Sequence, residues 1–102
     1  MPVITVATII PKPEHRAEVI AAFEEAIAAV HTEDGCEFYA LHEGEDRLVV
    51  IEKWSSMDAA TVHSTAPALA KLGPSLAGKL AAPLDVQHLT PHPAGTAEQG
   101  TL

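Results

Sequence analysis

Four side chains in the middle of this chain are spaced so that they could act together on a small molecule: Tyr39, Glu52, Trp54 and His63. Histidine is the side chain whose ordinary titration lies nearest physiological pH, so a neutral imidazole at 63 can accept a proton from a substrate hydroxyl. The bland alternative is a histidine that bonds a backbone carbonyl at a helix end. Glu52 falls on a strand face that is otherwise apolar. A carboxylate there must be paired or kept protonated by a raised pKa, and both fates occur in active sites. An ion pair across an interface between two copies of the chain is the structural expectation for it. Trp54 and Tyr39 either line an aromatic pocket or fill the core.

Other machineries are missing from the sequence. It has no Gly-x-Gly-x-x-Gly, Walker loop, Gly-x-Ser-x-Gly elbow or His-Glu-x-x-His. The histidines at 15, 31, 42, 63, 88 and 92 are scattered over separate elements. Only His88 and His92 are four apart, and Pro91 between them opposes a helix, so no metal is expected. The single cysteine, Cys36, has no disulfide partner and reads as a half-buried thiol beside a strand.

These residues need positioning elements, and the pattern supplies them. Residues 3–10 are almost all β-branched and stop at Pro11, so they form a strand that is apolar on both faces. Pro13 suits the first turn of a helix, with Glu14 near its positive end. Val19, Ile20, Phe23, Ile27 and Val30 then recur at helical spacing until about His31. Asp34-Gly35 turns the chain into a hairpin, with strands at 37–42 and 47–54 around Glu43-Gly44-Glu45-Asp46. Leu48, Val50, Glu52 and Trp54 share one face of the second strand.

Ser55, with Asp58 three residues on, reads as a capping start for a short helix that carries His63. Pro67 restarts the helix, and Gly73-Pro74 divides the Leu69, Leu72, Leu76, Leu80 pattern into two short pieces. Residues 84–90 form a last strand. The Pro, Gly and polar residues at 91–102 read as a flexible tail after a domain spanning 1–90.

The order β-α-β-β-α-β is the split arrangement of the ferredoxin-like α+β fold. Its helices lie on one face of a four-stranded antiparallel sheet. Two strands that are apolar on both faces leave the other face as an exposed patch, and a second copy of the same sheet would cover it. The expected assembly is a homodimer enclosing an α/β barrel, and a folded monomer in sedimentation at micromolar concentration would remove that expectation.

A net charge of −8 with six Lys and Arg leaves no basic stripe for phosphates, so nucleic acid and anionic membrane surfaces are poor partners. No apolar run approaches the roughly 20 residues of a membrane span, and the amino terminus lacks the pattern of a leader, so a cytoplasmic protein is expected.

The ordered set Asp34-Gly35-Cys36, Tyr39, Glu52-x-Trp54-Ser55 and a His nine residues after the Trp resembles the antibiotic biosynthesis monooxygenase family, including the quinol monooxygenases, over residues 3–90. The resemblance implies a dimeric α+β barrel that oxidises quinols, anthrones or polyketide-like dihydroxy-aromatics with O2, without flavin or metal. It implies His63 as base or donor, Glu52 as the residue that holds His63 or a neighbouring donor in place, and Trp54 and Tyr39 as residues that orient the ring. Phe23 and Leu69 are candidates for the same pocket from their helix faces. Haem-degrading relatives need an axial His on the helices after the third strand, and none lies between His63 and His88. The runner-up readings on this fold are a non-catalytic barrel for a small apolar ligand and a muconolactone-type isomerase that uses His63 or Glu52 without oxygen.

Overall fold

The computed structural model describes residues 1–102. Strand β1 (Val3–Ile9) leads through a single 3-10 turn at Pro13–His15 into helix α1 (Arg16–Val30). The hairpin strands β2 (Cys36–Glu43) and β3 (Leu48–Trp54) follow, then α2 (Met57–Ser64), α3 (Pro67–Leu76) and β4 (Asp85–Leu89). The sheet order is β2-β3-β1-β4 and every pairing is antiparallel, which is the ferredoxin-like α+β arrangement. The hairpin expected around residues 43–46 is present, each strand one residue from its expected limit.

Alternation along β3 is complete: Leu48, Val50, Glu52 and Trp54 are buried, while Val49, Ile51 and Lys53 are half-buried. The buried set packs with Val19, Phe23, Ala26 and Val30 of α1 and with Leu72 and Leu76 of α3 in one core. The opposite sheet face carries rows in register, Phe38-Lys53-Ile4-Leu89 and Ala40-Ile51-Val6-Gln87. No helix covers these rows in one copy of the chain. Phe38 is 41% and Leu89 48% exposed.

Two local expectations are corrected. Helix α2 is capped by Ser56, not Ser55: Ser56 is extended and its hydroxyl accepts the Ala59 amide at 3.1 Å. The Ser55 amide is already donated to the Gly35 carbonyl at 2.8 Å, which keeps Ser55 in the strand exit and moves the cap one residue on. Asp58 still falls in the first turn, where a negative charge suits the helix dipole. The second correction concerns Gly73-Pro74, which does not divide α3. Pro74 stands in the last turn, so its missing N–H costs one hydrogen bond and the helix ends two residues later. Leu80, expected on that helix, instead bridges Pro11.

Residues 90–102 form no helix or strand; a turn donates the Gly100 amide to the Thr96 carbonyl at 2.8 Å. No helix is long and apolar enough to cross a membrane.

Candidate active site

All six residues singled out in the sequence line one cavity of about 140 Å³ between the sheet and the helices: His63, Glu52, Trp54, Tyr39, Phe23 and Leu69. Phe23 is brought there by α1 and Leu69 by α3, as their helical spacing anticipates. Leu84 and Val86, 45% and 50% exposed, lie on the β4 side of the cavity.

The floor is a polar row across an otherwise apolar sheet face. Tyr39 pairs with Glu52, Glu52 with Thr5, and Thr5 with His88, so one side chain from each strand stands in register. Adjacent strands are about 4.8 Å apart, which places the two ends of the row roughly 14 Å from each other. Thr5 is buried, and its hydroxyl lies 2.9 Å from His88 Nδ1. Thr5 and His88 were not identified from the sequence. The two-residue period put Thr5 on this face, but a lone threonine in a β-branched run carries no signal of its own, and His88 becomes its neighbour only through the β1–β4 pairing.

Glu52 is paired inside the chain. The indole N–H of Trp54 donates to Glu52 Oε1 at 2.8 Å, and both side chains are almost wholly buried. The expected ion pair across an interface is therefore corrected: the carboxyl faces the helices, not the open face of the sheet. Burial holds the Glu52 carboxyl above its usual range. The nearby Glu33 adds to this, while the Trp54 hydrogen bond and His63 and His88 oppose it.

His63, in the last turn of α2, is 6% exposed. Its Nδ1 lies 2.8 Å from Glu33 Oε1, and its Nε2 lies 3.8 Å from Glu52 Oε1. The ring sits on the face of Trp54, centroids 4.4 Å apart at 31°, and meets Tyr39 edge-on at 5.5 Å and 67°. Burial, followed by the charges of Glu52 and Glu33, pushes the Tyr39 phenol above its ordinary value, so it is a hydrogen donor and not an anion. Glu33 was not identified from the sequence either. It lies in the polar turn 31–35, and nothing in that run distinguishes it from Asp34.

The site thus offers a buried imidazole with one nitrogen held and the other near a carboxyl, two aromatic walls and a phenol donor. Cys36, half-buried at the start of β2, has its thiol pushed up by burial, as suits a packing residue. No three His, Cys, Asp or Glu side chains are grouped so as to hold a metal ion.

Comparison with known proteins places the fold. The sequence profile described as antibiotic biosynthesis monooxygenase matches residues 2–72. The chain belongs to that family. It is 30% identical over 92 residues to a Mycobacterium tuberculosis protein named Putative monooxygenase Rv0793, covering 88% of this chain and 91% of that protein. The solved Rv0793 structure superposes with a TM-score of 0.87 at 28% identity, covering 94% of this chain and all of that one. A structure from Caulobacter crescentus, described as a putative antibiotic biosynthesis monooxygenase, gives a TM-score of 0.81 at 26% identity over 86% of this chain and 87% of its own.

Proposed function

We propose that this protein of the antibiotic biosynthesis monooxygenase family is a cofactor-independent monooxygenase that oxidises a quinol, an anthrone or a polyketide-like dihydroxy-aromatic with O2. The observation that carries the reading is the position of His63 Nε2, near the Glu52 carboxyl and flanked by Trp54 and Tyr39, on a cavity of mostly apolar walls.

In this reading a substrate hydroxyl gives its proton to His63 Nε2. The electron-rich anion passes one electron to O2, and the two radicals combine at a ring carbon to give a peroxide anion. The imidazolium returns the proton, making a hydroperoxide. That carbon then loses its remaining hydrogen as the O–O bond breaks, leaving a carbonyl and water. One oxygen atom stays in the product, the other leaves as water, and the substrate supplies all four electrons. Trp54 and Tyr39 orient the ring, and the Tyr39 hydroxyl donates to developing oxyanion charge. Glu52 anchors Trp54 and stands beside the reacting nitrogen. The apolar wall excludes water, which strengthens each of these polar contacts.

The cavity of one protomer holds roughly a single ring, whereas pockets for larger ligands run to about 300–1,000 Å³. The rest of a polycyclic substrate therefore extends toward the β4 side. The reading includes a homodimer in which the uncovered rows of the sheet meet a second copy. Sedimentation at micromolar concentration checks this part, and a folded monomer refutes it.

The deciding experiment is oxygen uptake by purified protein free of metal and flavin, given a panel of reduced naphthoquinols and anthrones with autoxidation subtracted. Uptake above background that falls at least tenfold in His63→Ala is expected. Turnover that is indifferent to that substitution removes His63 from the mechanism. No uptake from compounds that nevertheless bind favours the ligand-binding barrel, which the mostly apolar wall would also suit.

A further inference from the structure

We propose that Glu33 is the positioning residue of His63: its carboxylate accepts the Nδ1 hydrogen and thereby fixes Nε2 as the bare nitrogen on the cavity side. This role rests on the reading of His63 as the base. The contact joins residues thirty apart in the chain at 2.8 Å, and both side chains are largely withdrawn from water, at 7% and 18% exposure.

Glu33 is not free to wander. Its amide donates to the Val30 carbonyl at 2.9 Å and its carbonyl accepts the Cys36 amide at 3.2 Å, so the turn that carries it is pinned at both ends. The Gly35 carbonyl ties the same turn to the start of α2 through Ser55. The residue is thus held against the helix that carries its partner.

The two tautomers of His63 are not equivalent here. With hydrogen on Nδ1, the imidazole donates to Glu33 at a normal distance. With hydrogen on Nε2, the donor would face Glu52 Oε1 at 3.8 Å, too far for a hydrogen bond, and the lone pair on Nδ1 would point at a carboxylate.

The second oxygen of Glu33, Oε2, is buried and has no partner. In the resting pair the carboxylate is therefore short of donors. When Nε2 takes a substrate proton, positive charge appears on the ring beside it. The attraction to Glu33 then strengthens at the moment the reaction needs it, which is where an interaction lowers a barrier. The face of Trp54 supports the same cation. No covalent change occurs at Glu33; the proton moves from substrate to Nε2 and later to the peroxide.

The test uses the full chain with isotope-labelled histidine and long-range proton–nitrogen NMR. Wild type is expected to show His63 with hydrogen on Nδ1 and a bare Nε2, and a folded Glu33→Ala to lose that single tautomer. Hydrogen on Nε2 in wild type, or an unchanged tautomer in folded Glu33→Ala, overturns the proposal. Should Glu33→Ala not fold, the wild-type tautomer decides alone. In oxygen uptake, Glu33→Gln keeps the acceptor but loses the charge, so kcat should fall at least tenfold with KM within twofold, and Glu33→Asp should recover part of the loss. An unchanged kcat in Glu33→Gln also overturns the proposal. Absence of uptake in wild type with the Nδ1 tautomer present would sink the monooxygenase reading and leave the pair standing.

Discussion

Gly35 sits so close to Ala59 that no side chain fits between them: a Cβ on Gly35 would lie 2.6 Å from the Ala59 Cβ and 2.7 Å from the Ser55 hydroxyl. Gly35 also has φ of +82°, the left-handed region that other residues resist. The turn bearing Glu33 can therefore press against the start of α2, and the Glu33–His63 contact depends on that approach. Gly35→Ala should lose about 2–4 kcal/mol, combining backbone strain with overpacking. Urea unfolding measures this directly. A loss below about 0.5 kcal/mol would be the size of an ordinary surface change and would deny the close approach.

Part of this site is written in the chain at short range. The two-residue period of β3 put Glu52 and Trp54 on one face with Leu48 and Val50, and helical spacing turned Phe23 and Leu69 toward the same core. The distance from Trp54 to His63 is one strand exit and two helical turns, which also lies within local reach. Thr5, Glu33 and His88 were not legible, because each becomes part of the site through contacts between residues tens of positions apart. The helix cap failed for a related reason. Choosing between Ser55 and Ser56 depends on where the Ser55 amide goes, and its acceptor is the distant Gly35. Pro74 does not break its helix because a proline near a helix end removes only one bond.

The raised pKa of Glu52 has a consequence for stability. The folded state binds this proton more tightly than the unfolded chain does, with burial as the chief cause, so the stability tied to Glu52 is full below its ordinary value of 4.5. It is lost as pH rises through the folded-state value. Glu52→Gln retains an oxygen for the Trp54 N–H but cannot ionise. The difference in unfolding free energy should therefore move in favour of the variant as pH climbs above 4.5 and be constant below it. Urea midpoints of the two proteins across the acid and neutral range check the sign, and a parallel pair of curves would contradict the burial argument.

Tyr39 is the only tyrosine in the chain, so its ionisation can be followed by absorbance without a contribution from any other phenol. Burial and the adjacent carboxylates raise its pKa, and the stability tied to it is present below the ordinary value of 10.0 and lost as pH rises through the folded value. Phenolate absorbance should appear together with loss of the folded near-ultraviolet signal in alkali. A separate, reversible titration near the ordinary value in protein that remains folded would show that the ring is open to water.

The cavity wall contains no lysine or arginine, while Glu33 and Glu52 stand on either side of His63 and the whole chain carries a charge of −8. A proton moved from substrate to His63 creates a neutral ion pair, but a ligand that arrives with its own carboxylate brings an anion to a site with no cation to receive it. Two like charges 4 Å apart repel by about 4 kcal/mol at an effective dielectric of 20, and even a third of that is about tenfold in affinity. The site should therefore prefer uncharged phenols, which also speaks against a muconolactone-type acid. Trp54 is the only tryptophan and forms part of the wall, so quenching of its fluorescence reads binding without turnover. A dihydroxynaphthalene should bind at least tenfold more tightly than its carboxylic acid at neutral pH, and Glu52→Gln should narrow the gap. Equal or tighter binding of the acid would mean that a cation outside this wall, on a second copy of the chain, reaches the ligand.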